Sequence, residues 1–363
     1  MKNTINLLEV IQSLEEERGL DRAVLADIVC EGMLAAYSKK YPDLELKVSL
    51  DQKTGDLVVE VKKNIVTSVE NSESEITVRK AKGFDTKAEV GGEIWLPFDE
   101  EIGRVEILRA KQVITGKIRA VEALAVYNEF IGKKGTIVVG VIHKCEFGGA
   151  SVKLQDDAMA FLPKSLTLPS DKCVPGHPVR ALLKEVYEEP RKENQLILDR
   201  ASAEFLQRLV ELEVPEVFEK IVEIKKIVRA PGYKSKMVVA SNDKNIDPVG
   251  TCVGVGGGRI KPILKEIGGE RIDIISASGS LESFIKDALK PAEVSRVEIK
   301  GDDSVNVWLE DDQRSLAIGK MGQNISLASQ LVGRHINLVQ SQESAERDAL
   351  VDDEANGAFD DEE

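Results

Sequence analysis

Asp247–Ile274 reads DPVGTCVGVGGGRIKPILKEIGGERIDI. The pattern predicts a short helix, a glycine turn, a second helix and then a strand. Gly254-Val255-Gly256-Gly257 is the turn. Lacking a Cβ, glycine lets the chain turn where other residues cannot and lets another backbone approach closely. Gly258-Arg259-Ile260-Lys261 opens the second helix. Its first N–H groups have no partner inside the helix and can serve an anion. Pro262 suits that first turn, where an N–H is not needed. Arg259 and Lys261 add positive charge. A glycine turn between two helix ends, backed by cations, is suited to a phosphodiester backbone.

A lone Gly-x-x-Gly is most often a tight helix–helix turn. Here the unit recurs. Gly319-Lys320-Met321-Gly322 lies 65 positions downstream, inside RSLAIGKMGQNISLASQLVGRHINL. In both copies an apolar stripe precedes the turn and an amphipathic helix follows it. Glycine comes next (Gly268 and Gly269 against Gly333), then an alternating strand (Ile272 and Ile274 against Ile336 and Leu338). An internal repeat of this kind takes precedence in assigning a fold. Two sharper phosphate motifs are excluded. Arg259 stands where the third glycine of GxGxxG belongs, and no Gly-Lys-Ser/Thr follows a four-residue gap. The helix–GxxG–helix–strand unit resembles the KH domain, whose loop clamps about four nucleotides of single-stranded RNA.

The 363 residues are enough for two to four domains. A chain 42% hydrophobic and 31% charged is expected to fold as ordinary soluble protein, and only 4% aromatics limits base-stacking platforms. No segment approaches the roughly 18 apolar residues of a membrane span. The first 20 residues hold four glutamates and no apolar run, so no signal peptide is expected. Cys30, Cys145, Cys173 and Cys252 form no CxxC pair, which argues against zinc and fits reduced cytosolic thiols. With three histidines there is little material for catalysis, and no metal or cofactor is expected. A net charge of −14 runs against nucleic-acid binding, but its distribution does not. Residues 341–363 carry ten acids and one arginine, whereas 220–280 carry 11 cations and six acids. Local charge makes the electrostatic footprint, and the first glycine-loop module is the positive block.

The fold expected is multidomain α+β. Residues 1–130 form an α/β unit with long helices at Asn3–Lys40 and Val105–Phe130. Ile5, Leu8 and Ile11 start the first apolar stripe, strands are expected at Leu44–Leu50, Leu57–Val69 and Glu93–Leu96, and Asp51–Asp56 is a hairpin turn. Residues 131–200 carry five short strands, the number of a small closed barrel. Their order resembles the OB fold of the ribosomal S-one type. Its rings, His143, Phe147 and Phe161, are either stacking platforms or core and turn residues. Residues 201–280 and 281–340 hold the two glycine-loop modules. Val217–Arg229 reads as a strand, Ala230-Pro231-Gly232 as a turn and Tyr233–Ala240 as the returning strand. Lys225, Lys226, Arg229, Lys234 and Lys236 then decorate one hairpin, with Lys225 and Lys226 suited to a solvated face. Residues 341–363 read as a disordered acidic tail, either a solubilising extension or a competitor for the basic module.

This order of modules resembles the NusA family of bacterial transcription factors over about residues 1–340. The resemblance rests on Val214-Pro215-Glu216, Asn242-Asp243-Lys244, Asp247-Pro248-Val249-Gly250, Gly268–Ile274 (GGERIDI), Pro291-Ala292-Glu293-Val294 and Ala317–Asn324 (AIGKMGQN). It implies a non-enzymatic, cytoplasmic and monomeric factor on elongating RNA polymerase. Residues 1–130 would sit near the RNA exit channel, and the barrel and KH modules would hold single-stranded nascent RNA. Pausing, intrinsic termination and antitermination are what the family modulates, and other Nus factors are further partners. Carried over by motif, the RNA contacts are Gly254, Gly256, Gly257, Arg259, Lys261, Gly319, Lys320, Gly322, Gln323, Asn324 and Arg334, with Arg229, Lys234 and Lys236 beside the first loop. Two positions depart from the pattern. Gly256 replaces the usual arginine, with Arg259 a candidate substitute, and Arg334 replaces the usual tryptophan. The acidic repeat domains of some members have no counterpart. The alternatives are a phosphorolytic RNA nuclease, for which no catalytic core is left over, and a ribosome-associated RNA-binding protein without polymerase contact.

Overall fold

The computed structural model describes residues 12–16, 19–51, 56–100, 102–155, 158–191, 194–277, 279–301 and 303–340. The stripe at Ile5, Leu8 and Ile11, the middle of the Asp51–Asp56 turn and the acidic tail lie outside the described residues. The chain divides into two compact units, Met1–Val126 and Tyr127–Glu363.

In the first unit the single long helix expected from Asn3 to Lys40 is interrupted. Gly19 adopts φ +65°, and a new helix spans Arg22–Lys40. Asp21 caps it by accepting a hydrogen bond from the Ala23 N–H at 2.7 Å, which satisfies an amide the helix leaves unpaired. Its inner face buries Leu25, Ile28, Val29 and Ala36. At Gly32 an added Cβ would lie 2.3 Å from Ile114 of the helix Arg104–Phe130, so the close approach of the two helices requires glycine there. Strands β1 (Leu46–Leu50), β2 (Leu57–Val66), β3 (Glu75–Thr77) and β4 (Glu93–Pro97) form a sheet in which β2 pairs with all three others. The three-residue β3, parallel to β2, was too short to show in the sequence pattern.

The second unit begins with the barrel. Strands β5 (Ile137–Glu146), β6 (Gly149–Leu154), β7 (Met159–Pro163), β8 (Pro178–Arg191) and β9 (Asn194–Asp199) close in the order β5-β6-β7-β9-β8. Alternation explains the closure: Ala150, Val152 and Leu154 of β6 point inward and are buried. Cys145 and Cys173 are disulfide-bonded, with Cα atoms 6.0 Å apart. This corrects the expectation of four reduced thiols. A 28-residue separation hides the pairing from the sequence, and closure of the barrel brings the two together. Cys30 and Cys252 are free.

Two modules of the same plan follow. The first has β10 (Val222–Ala230) antiparallel to β11 (Lys234–Ser241), with β12 (Arg271–Ser276) parallel to β11. The second repeats this with β13 (Arg296–Lys300), β14 (Ser304–Leu309) and β15 (His335–Gln340). The strand expected from Val217 is shorter than read. Pro215–Phe218 is a helical turn with proline at its start, and the strand begins at Val222. Met237 and Val239 of β11 pack with Phe205, Leu209, Val210 and Ile263 from their own module's helices. Val228, Val238 and Ile275, on the opposite face, pack with Ile285, Leu289, Leu327 and Leu331 of the second module. The first module's sheet is therefore covered on both faces, and the two modules share one core.

Candidate nucleic-acid interface

Each glycine loop links a helix that ends to a helix that begins. Helix Pro248–Val253, capped by the Asp247 carboxylate on the N–H groups of Val249 (3.1 Å) and Gly250 (3.0 Å), runs into the first loop. Helix Ile260–Glu266 leaves it. Helices Asp311–Ile318 and Gln323–Val332 flank the second. The loops have the same backbone shape. Gly254 (φ 73°, ψ 166°) matches Gly319 (φ 70°, ψ 176°), and Gly256 (φ 60°, ψ 19°) matches Met321 (φ 55°, ψ 28°). Gly257 (φ 77°) matches Gly322 (φ 71°). Positive φ favours glycine at all of these places, and Met321 is the exception that the turn holds there.

The glycines do different work. A Cβ on Gly254 would meet the Arg259 side chain at 2.9 Å, and one on Gly319 would meet Asn324 at 2.7 Å. The first glycine of each loop thus permits a close approach to the residue five positions on. Gly256 and Gly322 face open space. Each loop carries one fully exposed apolar tip, Val255 (101% exposed) and Met321 (87%). Beside them Lys261 and Lys320 are exposed cations. Gln323 opens the second helix with its Oε1 buried and without a hydrogen-bond partner.

The other cations carried over by motif all have partners within the protein, and Arg229, Lys234 and Lys236 are buried there. Arg229 and Glu270 have side chains 2% and 0% exposed. The guanidinium donates from Nε at 2.9 Å and Nη2 at 2.9 Å to this carboxylate, and from Nη1 to the carbonyls of Arg200 (2.9 Å) and Ser202 (2.7 Å). Lys234 and Lys236 both reach Asp273 at 2.7 Å, from the covered side of the sheet. Burial pushes the Lys236 ammonium down from its ordinary range, ahead of Asp273, which pulls it up. Arg259 is held by Glu216 at 2.8 Å and by the Thr251 carbonyl at 2.9 Å. That pairing keeps the Glu216 carboxyl below the usual carboxylate range. Arg334 is half-buried and donates to the Gly301 carbonyl at 2.6 Å.

Arg229, Lys234 and Lys236, expected as RNA contacts beside the first loop, are thus buried and paired within the protein. Alternation along a hairpin gives the side a residue faces: the second module covers the side of Lys234 and Lys236, and the first module's own Glu270, Arg200 and Ser202 enclose Arg229 on the other. Asn324 is likewise internal, 3% exposed. Its Nδ2 donates to the carbonyls of Leu289 (3.2 Å), Leu316 (3.2 Å) and Ala317 (3.1 Å), and its Oδ1 accepts from Lys234 at 3.1 Å. Lys226 is exposed, as a solvated face expects, and its ammonium also donates to the carbonyls of Gln330 (2.5 Å) and Leu331 (3.0 Å) of the second module. Sequence reading missed the partners, Glu216, Glu270 and Asp273. Glu270 and Asp273 lay within the GGERIDI motif, but nothing local paired them with cations 37 to 41 positions away.

Three family models match the chain: the NusA N-terminal domain at residues 6–123, the NusA-like first KH domain at 200–277 and the NusA-like second KH domain at 281–346. Relatives named "Transcription termination/antitermination protein NusA" align along most of it. That of Rickettsia conorii is 34% identical, over 94% of this chain and 69% of its own length. Those of Thermus thermophilus and Bacillus subtilis are 33% and 31% identical, each over 94% of this chain and 92% of the relative.

Proposed function

This chain belongs to the NusA family of transcription termination/antitermination proteins, and from that premise we propose that it rides on elongating RNA polymerase and holds nascent RNA on its two glycine loops. The observation that carries the RNA half is the duplicated loop. Two turns of one backbone shape each present an exposed lysine at a helix start. Lys261 and Lys320 neutralise phosphates, while Gly254, Gly256, Gly257, Gly319, Gly322 and Gln323 shape the approach of the RNA backbone. Such contacts give salt-dependent affinity with little sequence reading. Arg334 stands at the edge of the second module as a further contact. Arg229, Lys234, Lys236, Arg259 and Asn324 support the loops from within.

The domain division that goes with this reading is 1–130 for polymerase, 131–200 for the OB barrel, and 201–280 and 281–340 for the KH modules. RNA held outside the polymerase biases hairpin formation in the exit channel, and through it pause lifetime and the choice between termination and antitermination. The protein then acts in the cytoplasm as a monomeric non-enzymatic factor, with other Nus factors as partners. Among the described residues no helix is long and apolar enough to cross a membrane. The names of the relatives do not favour a ribosome- or degradation-associated role.

Gly322→Asp tests the loop, because no atom lies within 4 Å of a Cβ there: the positive φ costs an aspartate about 1–2 kcal/mol, as the turn already accepts at Met321, and the anion opposes a phosphate. Single-stranded RNA affinity is expected to fall at least about tenfold at low salt. Unchanged binding by the folded variant would remove the second loop from the interface. Deleting residues 1–130 should abolish co-purification with polymerase, and retention would refute the polymerase contact.

A further inference from the structure

The helix Gln323–Val332, which carries the second glycine loop at its start, is held at both ends by lysines of the first module. At its N-terminal end Lys234 of β11 donates to Asn324 Oδ1. Asn324 uses both its amide hydrogens on the last turn of the incoming helix, at the Leu316 and Ala317 carbonyls, and on Leu289. It therefore ties together the two helix ends that the loop joins. At the C-terminal end Lys226 of β10 donates to the carbonyls of Gln330 and Leu331, which the helix itself leaves without partners. Lys234 also pairs with Asp273.

We propose that Lys234 is a positioning residue for the second glycine loop, so that the first KH module sets the RNA affinity of the second through the Asp273–Lys234–Asn324 contacts. This rests on the reading of that loop as an RNA contact. The chemistry is that of a buried acceptor with one strong donor. Without Lys234, Oδ1 of Asn324 is an orphan in the core, and the amide gains by rotating toward another donor. Rotation releases the Leu316 and Ala317 carbonyls and loosens the turn at Gly319. Asp273 keeps Lys236 as a partner at 2.7 Å, so removing the Lys234 charge leaves no unpaired carboxylate.

The test uses the full chain with Lys234→Met, which keeps the length of the side chain and removes the donor. Lys236→Met is the control. It removes the other lysine from the same carboxylate in the same core but does not touch Asn324. Amide hydrogen exchange without RNA is read first. Lys234→Met should speed exchange at 317–324 about tenfold, Lys236→Met should leave those amides unchanged, and Lys234→Arg should restore protection. Single-stranded RNA affinity should then fall about tenfold in Lys234→Met with the same slope of log K against log salt, because a positioning residue neutralises no phosphate. Unchanged exchange at the loop, or equal acceleration in both variants, would overturn the proposal. So would a slope shallower by about 0.7, the mark of a direct phosphate contact. Gly322→Asp in the same titration separates the two readings. If it does not weaken binding, the loop is not an RNA contact, and the exchange arm still decides whether Lys234 holds it.

Discussion

Gly256 and Met321 occupy the same place in two loops of the same backbone shape. Met321 shows that this turn accepts a side chain at φ 55°, although such a conformation costs a non-glycine residue about 1–2 kcal/mol. A Cβ at Gly256 meets nothing within 4 Å. Gly256→Arg should therefore fold, losing no more than about 2 kcal/mol by denaturant unfolding. It should also tighten single-stranded RNA and steepen the salt slope by about 0.7, one added phosphate contact. A variant of unchanged affinity and slope would mean that the first loop does not face the RNA backbone. Arg259 is no substitute in this state, since Glu216 and Thr251 already hold it. That the loop was a loop could be read from its glycines. The engagement of Arg259 could not, because Glu216 lies 43 positions earlier on another helical turn.

At the scale of elements, the barrel strands followed from alternation and turn residues, since both are local. Val217–Arg229 was read too long because its alternation continues through a helical turn that Pro215 starts. The disulfide had no local sign at all. It ties the end of β5 to the segment between β7 and β8. A cross-link closing 28 residues restricts the unfolded chain by about 3.5 kcal/mol in the chain-entropy model. Reduction, or Cys145→Ser with Cys173→Ser, should lower the stability of the barrel by about that amount. A thiol count on the unfolded protein should give two before reduction and four after. Four free thiols without reductant would show that the bond does not form in solution.

For the whole molecule, charge is distributed differently from what its sum suggests. The block 220–280 carries 11 cations, yet several are engaged within the protein: Arg229, Lys236 and Arg259 inside the first module, Lys226 and Lys234 across to the second. Six loop and hairpin cations, Arg229, Lys234, Lys236, Arg259, Lys261 and Lys320, would contribute about −4 to the salt slope for single-stranded RNA if all met phosphates. With Lys261 and Lys320 alone that share is about −1.4. Lys261→Met with Lys320→Met should accordingly make the slope shallower by about 1.4, and a loss near zero would place the interface elsewhere on the protein. The engagement of Lys226 and Lys234 by residues of the second module also explains that module's position. The sheet of the first module presents lysines on a face that is apolar otherwise, and Asp273, Asn324 and helix carbonyls satisfy them there.

The sequence by itself determined the modules, their order and the two loops. Glycine spacing, alternation and amphipathic stripes are all read within a few residues, and backbone conformation responds at that range. Only the tertiary structure decided which cations face solvent, that Asn324 is a brace and that Cys145 meets Cys173. Those outcomes depend on which face a neighbouring element covers. Burial then separates a lysine that solvent can reach from one whose charge must be met inside, because an unpaired ammonium in the core is far more costly than a paired one.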